Sequence, residues 1–436
     1  MKRNTKVLLC FMLSLAMIFC LFAGCESKSS KPLRVCVDLE KGVQFSNMLD
    51  LAMKGFLGTV ADLGGPEDID VEYIPAPGED RQNVLTRLRG EIMAGEGPDV
   101  FILMSGHDYP GFADDDPLFL FPEKAMESGR FLPLDPYLEN AQFMEWEKLT
   151  PSVMEAGKTE EGQMLLPLCY TFPVTLYSKE DVDVSTPKST TWEDMRNDDT
   201  GLLSAVASDW YKFEDNYFII TDSWSLFPAA LFGKVADYRA EQLTFTEEEL
   251  LTYTKQAVAL YQKEQNGEFA SLPKHRTISM AVDQCQGGPY TMIPCYQTDG
   301  GVTATVTAFA GVNANTARPE DAFFLLDVLF KADVQEKSSI YKYFSVENGV
   351  PTYEGLMTQE HPTTDGWYLS ESNYQVFSGI RDQITTARFS TVIDSELADM
   401  LHACCGIPGE AAPTEKDIEE IVSETYQKLK LYLNES

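Results

Sequence analysis

The sequence predicts an α/β fold with parallel strands, organised in two lobes. Strand-like and helix-like segments alternate between residues 33 and 103, the pattern of a parallel sheet with right-handed helical crossovers. The chain has 436 residues, which exceeds the usual size of a single domain. Its apolar content of 44% is enough to build large cores. We therefore expect two lobes rather than one.

The first five elements follow from the spacing of their apolar residues. Residues 33–37 are rich in valine and predict a strand, and apolar residues then recur at helical spacing over residues 45–60. Residues 69–74 alternate as a second strand. A second helical pattern covers residues 84–93, and residues 99–103 predict a third strand. Together these segments form one parallel α/β unit.

Later elements are predicted by turn, cap and periodicity signals. Thr246 and Glu249 form the sequence pattern of a capping box, which predicts a helix from residue 250. The other predicted elements are extended segments at 162–168, 170–177 and 301–311, and helices beginning at 191, 318 and 418.

The amino terminus predicts a secretion signal. Basic residues precede an apolar stretch at residues 7–22, which is too short for a membrane helix. Residues 21–25 (Leu-Phe-Ala-Gly-Cys) resemble the lipobox of bacterial lipoproteins. That resemblance implies cleavage after residue 24 and acylation of Cys25, with residues 25–32 as a polar tether. The alternative is an ordinary cleaved signal followed by an unmodified cysteine.

The lipobox resemblance also implies a location. Acylation of Cys25 would hold the protein on the extracellular face of the cell membrane, and stable anchoring requires more than one acyl chain. A bacterium with a single membrane fits this form of protein best. The formal charge of −34 makes nucleic acid and anionic lipid headgroups improbable partners, since both would be repelled.

The cysteines give no metal motif. Those after the lipobox do not have the spacing of a zinc site. Cys36 and Cys169 lie in apolar stretches and are expected in the core. Cys285 and Cys295 either pair across a turn or stay reduced. The adjacent pair at 404–405 is not expected to bridge, because the geometry would be strained.

Four motifs occur in an order that resembles a known family. They are Gly-Glu-Gly-Pro-Asp-Val at 95–100, Gly-Gln-Met-Leu-Leu-Pro at 162–167, Thr-Trp-Glu-Asp-Met at 191–195 and Ala-Gly-Val-Asn-Ala-Asn at 310–315. Together, behind a lipobox, they resemble the family 1 extracellular solute-binding lipoproteins of bacterial ABC importers. This is the sugar- and oligosaccharide-binding group that includes maltose-binding protein.

The resemblance implies a two-lobe periplasmic-binding-protein fold that is type II-like. Each lobe would be a mainly parallel sheet flanked by helices, with hinge crossings between the lobes. On this chain, lobe 1 would comprise residues 33–169 and 306–360, and lobe 2 residues 170–305 and 361–436. The crossings are expected near 169–172, near 306–311 and after 349–351.

The resemblance also implies a ligand site in the cleft between the lobes. Sugar sites combine aromatic faces with a few placed polar groups. The expected ligand-binding residues are Gln44, His107, Asp108, Tyr109, Tyr170, Thr171, Trp224, Tyr296 and Trp367. Several of these residues also have an alternative without a ligand contact. Residues 107–109 would then be a solvated loop, residues 170–171 would pack in the hinge, and Trp224 and Tyr296 would belong to the core.

The functional expectation is a non-enzymatic binding protein. The four histidines lack metal spacing, and no nucleophile elbow or phosphate loop is present, so we expect no catalytic residues, metal or cofactor. The expected partners are a small solute, preferably a carbohydrate, and the subunits of an ABC permease, with the protein itself a monomer. Two alternatives remain. One is a ligand sensor or surface interaction module on the same fold, and the other is a secreted hydrolase with a carboxylate pair.

Overall fold

A mixed β-sheet forms the centre of the molecule. A computed structural model describes residues 31–38, 46–75, 78–105, 117–178, 232–265, 274–277, 290–294, 296–297, 300–345, 349–364, 366–406 and 412–435. The strands of the central sheet are β1 (Leu33–Asp38), β2 (Ile69–Tyr73), β3 (Val100–Met104), β6 (Leu165–Thr171), β12 (Val302–Val312), β13 (Val350–Pro351) and β14 (Ile384–Phe389). Within the described chain they lie in the order β13-β6-β12-β3-β1-β2, and β14 also pairs with β12.

The first part of this sheet is the predicted parallel unit. β1 pairs in parallel with β2 and with β3, and Val35 is opposite Val71 on one side and Val100 on the other. Helix α1 (Ser46–Asp62) connects β1 to β2, and helix α2 (Glu79–Met93) connects β2 to β3. All five elements predicted between residues 33 and 103 are therefore confirmed.

Strand β12 organises the second part of the sheet. All its eleven residues are buried, and it runs antiparallel to both β3 and β6. Its first half instead pairs in parallel with β14. Because β3 ends at Met104 and β14 ends at Phe389, the carboxyl ends of these two strands approach each other along the same side of β12.

Two of the resemblance motifs contact each other beside the central sheet. The Asn313 Nδ2 atom donates to the carbonyls of Glu96 and Pro98 at 3.0 and 2.9 Å. The Asn313 amide donates to the carbonyl of Asp99 at 2.9 Å. Gly97 has φ of 104°, a conformation that favours glycine in this tight turn. The motifs at 95–100 and 310–315 therefore form one buried hydrogen-bonded corner.

The remaining elements surround this sheet or extend it. The other helices are α3 (Pro122–Glu127), α4 (Asp135–Leu138), α5 (Pro151–Met154), α6 (Glu247–Gln265), α7 (Pro319–Leu329), α8 (Ala332–Lys337), α9 (Lys342–Ser345), α10 (Glu371–Arg381), α11 (Val392–Cys405) and α12 (Glu415–Glu435). The other strands are β4 (Lys158–Thr159), β5 (Gly162–Gln163), β7 (Pro173–Ser178), β8 (Ala236–Asp237), β9 (Gln242–Leu243), β10 (Lys274–Thr277) and β11 (Tyr290–Pro294).

Three apolar clusters hold these elements together. One cluster packs on the face of the sheet that carries Phe101, Tyr170 and Phe309. A second packs on the opposite face, with Ile102 and Leu168. The third, which we call the helical layer, is formed by α6, α11, α12 and the β8–β9 hairpin. Thr246 caps α6 as predicted, since its Oγ1 accepts from the Glu249 amide at 3.2 Å.

The second sheet differs from our expectation. β7 lies between β10 and β11, and both pairings are antiparallel, whereas we expected a mainly parallel sheet in each lobe. Strands β10 and β11 both run opposite in direction to β7, one along each of its edges. This difference is stated only for β7, β10 and β11, since much of the segment between residues 179 and 289 lies outside the described residues.

The expectation that Cys36 and Cys169 lie in the core is confirmed. Cys36, Cys169, Cys404 and Cys405 are buried and reduced. Burial raises the pKa of the Cys169 thiol, which keeps it protonated and unreactive. Cys285 and Cys295 lie outside the described residues. Across the described part of the chain, no helix is long and apolar enough to cross a membrane.

Candidate ligand site at the strand crossings

The chain passes from the central sheet to the second sheet at Phe172. Strand β6 ends at Thr171 and β7 begins at Pro173, so a single residue separates them. At this level Tyr170 is opposite Val306 of β12 on one side and Val350 of β13 on the other. Strands β12, β6 and β13 therefore lie side by side at this level, and their role as crossings between lobes stays a prediction.

Gly349 permits the close approach of these three segments. A Cβ atom at this position would lie 2.6 Å from the Thr307 Oγ1 atom and 2.6 Å from the Tyr170 carbonyl oxygen. Both distances are well inside van der Waals contact, and the Tyr170 carbonyl belongs to the backbone and cannot rotate away. A side chain at 349 would therefore push β13 away from β6 and β12.

A row of buried threonines lines one face of the crossing. Val302, Ala304 and Val306 pack into the first apolar cluster. Since side chains alternate along a strand, the threonines between and after them face the other way. The hydroxyl row comprises Thr303, Thr305 and Thr307 of β12 and Thr171 of β6, all at most 5% exposed.

Two hydroxyls of this row lack a hydrogen-bond partner within the described part of the chain. The Oγ1 atoms of Thr171 and Thr307 are buried, and neither has a hydrogen-bond partner among the described residues. Thr303 differs, because its Oγ1 accepts from the Gln297 Nε2 atom at 2.6 Å. Buried hydroxyls are usually satisfied, and leaving one unsatisfied costs free energy. The Thr171 and Thr307 hydroxyls are therefore candidates for a hydrogen bond to a polar ligand.

Ser105 closes the row at the end of β3. Its amide donates to the Thr307 carbonyl at 3.0 Å, and its hydroxyl donates to the Val306 carbonyl. These bonds fix the point at which β3 leaves the sheet and the chain continues into residues 106–116. The end of β3 is therefore tied directly to the crossing strand β12.

A buried ion pair holds the end of β1. The Arg81 Nη1 and Nη2 atoms donate to both carboxylate oxygens of Asp38 at 2.9 and 2.8 Å, and Nη1 also donates to the Pro75 carbonyl. Burial raises the pKa of Asp38, although the Arg81 guanidinium opposes this rise. Because Arg81 occupies both carboxylate oxygens, Asp38 positions the end of β1 and offers little to a ligand.

Five of the nine expected ligand-binding residues cannot be placed. Gln44, Trp224 and the loop residues His107, Asp108 and Tyr109 lie outside the described residues. In the sequence, Gln44 follows β1 and the loop follows β3. Those two strands are adjacent, with Asp38 opposite Leu103. Their assignment to the ligand site stays a prediction.

Tyr170 and Thr171 lie in the crossing but face opposite sides. Tyr170 is 1% exposed, and its ring centroid is 6.1 Å from that of Phe172, which in turn stacks on Phe377 at 6.0 Å. This packing matches the hinge alternative for Tyr170. Thr171 belongs to the hydroxyl row. The ligand role of both residues stays a prediction.

Tyr296 and Trp367 lie on the side of the sheet that faces α10. Tyr296 is fully buried, and its hydroxyl donates to the Gln383 Oε1 atom at 3.1 Å. Trp367 is partly buried against the first apolar cluster. The Trp367 amide donates to Thr363 Oγ1 at 3.1 Å, and the Thr363 amide donates to the Trp367 carbonyl at 2.8 Å. Neither observation tests a ligand contact.

Sequence reasoning missed several residues of the crossing. Ser105, Thr305, Thr307 and Gly349 were not among the expected site residues. The alternation of threonine with valine and alanine over residues 302–307 was a readable signal, because a buried strand has little reason to place hydroxyls at every second position. Arg81 had no such signal, since it is 43 residues from Asp38 in the sequence.

Comparisons with solved structures show which known proteins have a similar fold. No protein-family model matches the chain, and no curated protein matches it. Among solved structures, a family 1 extracellular solute-binding protein from Alicyclobacillus acidocaldarius is similar at 14% identity, covering 92% of this chain and 100% of that chain, with a TM-score of 0.55.

Two further solved structures agree with it. The sugar-binding protein MalE from Xanthomonas citri matches at 14% identity, covering 93% of this chain and 98% of that chain, with a TM-score of 0.54. A periplasmic oligogalacturonide-binding protein from Yersinia enterocolitica matches at 13% identity, 92% and 99% coverage and a TM-score of 0.53. The chain thus has the two-lobe α/β fold of solute-binding proteins, and the predicted fold class is confirmed.

Proposed function

We propose that this chain is an extracellular solute-binding protein that captures a small solute between its lobes and delivers it to an ABC permease. One observation carries the proposal. The three crossing strands meet at a row of buried threonines, in which the hydroxyls of Thr171 and Thr307 have no partner among the described residues. Such hydroxyls would suit the polar groups of a ligand that is held between the lobes when they close.

A carbohydrate is the solute that we favour. A threonine hydroxyl both donates and accepts, which suits the hydroxyl groups of a sugar. The similar structures described above include proteins named for binding a sugar and an oligogalacturonide. Aromatic residues such as Trp224 and Trp367 would supply stacking faces, as expected from the sequence.

The remaining parts of the proposal concern place and partners. Lipid on Cys25 would hold the protein on the extracellular face of the membrane, where a monomer in the closed form would dock on the permease. The hinge would lie at the lobe boundaries given by the sequence, 169/170 and 305/306. We assign no catalytic residue, and within the described chain no cluster of acidic, histidine or cysteine side chains fits a metal ion.

A thermal-shift screen tests the capture of a solute. The chain without residues 1–24 is heated with sugars, oligosaccharides, amino acids, polyamines and metal ions in turn. A ligand at 100 times its dissociation constant adds about 2.7 kcal/mol to the free energy of unfolding, which raises the midpoint measurably. For any solute that raises it, small-angle scattering then measures whether the radius of gyration falls.

The outcomes separate the functional classes. A shift with one class of sugars, together with a smaller radius of gyration, supports capture by lobe closure. No shift with any solute in the panel contradicts the proposal and favours the interaction module. Turnover of the bound sugar, measured by chromatography of the recovered ligand, would contradict the non-enzymatic assignment.

A further inference from the structure

The short helix α3 and the segment before it connect two cores. Leu118 and Met126 pack into the apolar cluster on the sheet face that carries Phe101. Phe121 instead packs into the helical layer, where its ring centroid is 5.3 Å from that of Tyr238. We call residues 117–127 the strap, because they contribute side chains to both clusters.

Polar contacts fasten the strap at both ends. On the sheet side, the Arg89 Nε and Nη2 atoms donate to the Leu118 and Pro117 carbonyls at 3.1 and 2.7 Å. On the helical side, the Lys124 Nζ atom donates to Glu241 Oε1 at 2.7 Å and to the Leu433 carbonyl at 2.9 Å. The strap therefore bridges α2, the β8–β9 hairpin and the end of α12.

Glu123 is the central contact of the strap. Its Oε1 atom accepts from the Phe389 amide at 3.1 Å, at the end of β14. Its Oε2 atom is buried and has no hydrogen-bond partner among the described residues. A buried carboxylate oxygen without a donor is unfavourable when ionised, but a protonated carboxyl carries no such charge.

The charged groups around Glu123 do not neutralise it. The Arg388 guanidinium lowers the pKa of Glu123, but its Nη1 and Nη2 atoms donate to Asp394 at 2.9 and 2.5 Å. Tyr238 faces the same cluster from the hairpin, and burial raises its pKa well above its usual value, so it is neutral. An ionised Glu123 would therefore be a second carboxylate beside one arginine.

Burial sets the protonation of Glu123. It raises the pKa of this carboxyl to about 7, and the Asp394 charge adds to the rise. The amides of Glu123 and Phe389 and the Arg388 guanidinium oppose it. The carboxyl thus titrates near neutral pH, which an extracellular protein can encounter.

We propose that the strap is a proton-sensitive latch, in which a neutral Glu123 holds the helical layer to the central sheet and an ionised Glu123 loosens it. This goes beyond solute capture and does not depend on it. The consequence for a binding protein would be lobe movement that depends on the pH outside the cell.

The sign of the pH dependence follows from linkage. Because the pKa of Glu123 is higher in the folded protein than in the unfolded chain, the folded protein binds this proton more tightly between about pH 4.5 and pH 7. The contribution of Glu123 to the free energy of unfolding is present below that window and is lost as the pH rises through about 7.

The test compares Glu123→Gln with Glu127→Gln in the full-length chain in detergent. Glutamine keeps an oxygen for the Phe389 amide and cannot ionise, whereas Glu127 is an exposed residue of the same helix. We expect the E123Q and wild-type unfolding midpoints to coincide at pH 4.5, with E123Q higher by roughly 2–4 °C at pH 8. E127Q should follow the wild type at every pH.

A second measurement localises the effect. Hydrogen exchange, corrected for the intrinsic pH dependence, should show residues 117–127 and 236–243 exchanging faster at pH 8 than at pH 5.5 in the wild type but not in E123Q. Lys124→Met should speed exchange in the same segments at both pH values. The latch is contradicted if E123Q follows the wild type across the pH range, or if the pH-dependent exchange spreads evenly over the protein.

Discussion

Two buried arginine–aspartate pairs stand at the ends of two strands, and their surroundings differ. Arg81 and Asp38 meet at 2.8 Å at the end of β1, and Arg388 and Asp394 meet at 2.5 Å just after β14. All four side chains are at most 5% exposed. The first pair also bonds the Pro75 carbonyl, whereas the second pair lies beside a third ionisable group, Glu123.

The comparison shows that pairing geometry alone does not decide the role of a buried charge. Arg81 with Asp38 is electrically balanced when both groups are charged, and the pair then fixes the end of β1. Arg388 with Asp394 is balanced only while Glu123 is protonated. The first pair is therefore a structural anchor. The second pair is sensitive to pH, because the titratable carboxyl of Glu123 lies beside it.

The largest effect is expected from breaking the balanced pair. Arg81→Met would leave Asp38 buried without a cation and should lower the free energy of unfolding by about 3–5 kcal/mol. Arg87→Met is the matched control on the same helix, because Arg87 is 42% exposed and pairs with Glu72 and Glu91 at the surface. That control should cost at most about 1 kcal/mol, as measured by urea unfolding. Equal losses of unfolding free energy in both variants would contradict the role of the Arg81–Asp38 pair as a structural anchor.

Breaking the second pair should change the pH dependence as well as the stability. Arg388→Met removes a cation that opposes the raised pKa of Glu123, so the pH window in which stability falls should move upward. Asp394 still accepts from the Thr391 amide at 2.9 Å, so the loss of stability should be no larger than for Arg81→Met. Unfolding curves at several pH values measure both quantities. An unmoved window in R388M would show that Arg388 does not act on Glu123.

A smaller effect is expected where the crossing strands meet. Gly349→Ala places a methyl group against the Thr307 hydroxyl and the Tyr170 carbonyl, which should cost about 1–3 kcal/mol. Gly379→Ala is the control, because a Cβ there meets nothing within 4 Å and lies in a helix. It should be neutral or stabilise by up to about 1 kcal/mol. If both variants have the same unfolding midpoint in denaturant as the wild type, the close packing at Gly349 does not contribute to stability.

The smallest effect on stability is expected in the hydroxyl row. The double variant Thr171→Val and Thr307→Val removes hydroxyls that have no partner among the described residues, so the empty protein should stay within about 1 kcal/mol of the wild type. Thr303→Val should cost more, about 1 kcal/mol or slightly above, because Gln297 loses an acceptor. Denaturation of the three proteins side by side measures this. A large loss in the double variant would show that both hydroxyls are already satisfied.

The sequence was informative where structure is local. Residues 33–103 were predicted element by element, because each strand and helix shows its own apolar period and its own glycine or proline boundary. The helices and strand between 371 and 405 were missed. The two helices begin at the N-caps Ser370 and Thr391, residue types that favour helix starts.

The site was less accessible to sequence reasoning for a topological reason. Glu123 and Phe389 are 266 residues apart, and Thr307 and Gly349 meet only because three strands cross at one level. Such contacts depend on the strand order, which no local pattern encodes. The order of the motifs led to the predicted hinge crossings, and their role as crossings between lobes stays a prediction.

The most direct test of solute capture is the solute screen carried out in parallel on the wild type and on the Thr171→Val, Thr307→Val double variant. The account predicts that one class of sugars raises the wild-type midpoint and that the double variant, equally stable when empty, shows a clearly smaller rise. An equal rise in both proteins would place the ligand away from the crossing. No rise in either would contradict solute capture itself.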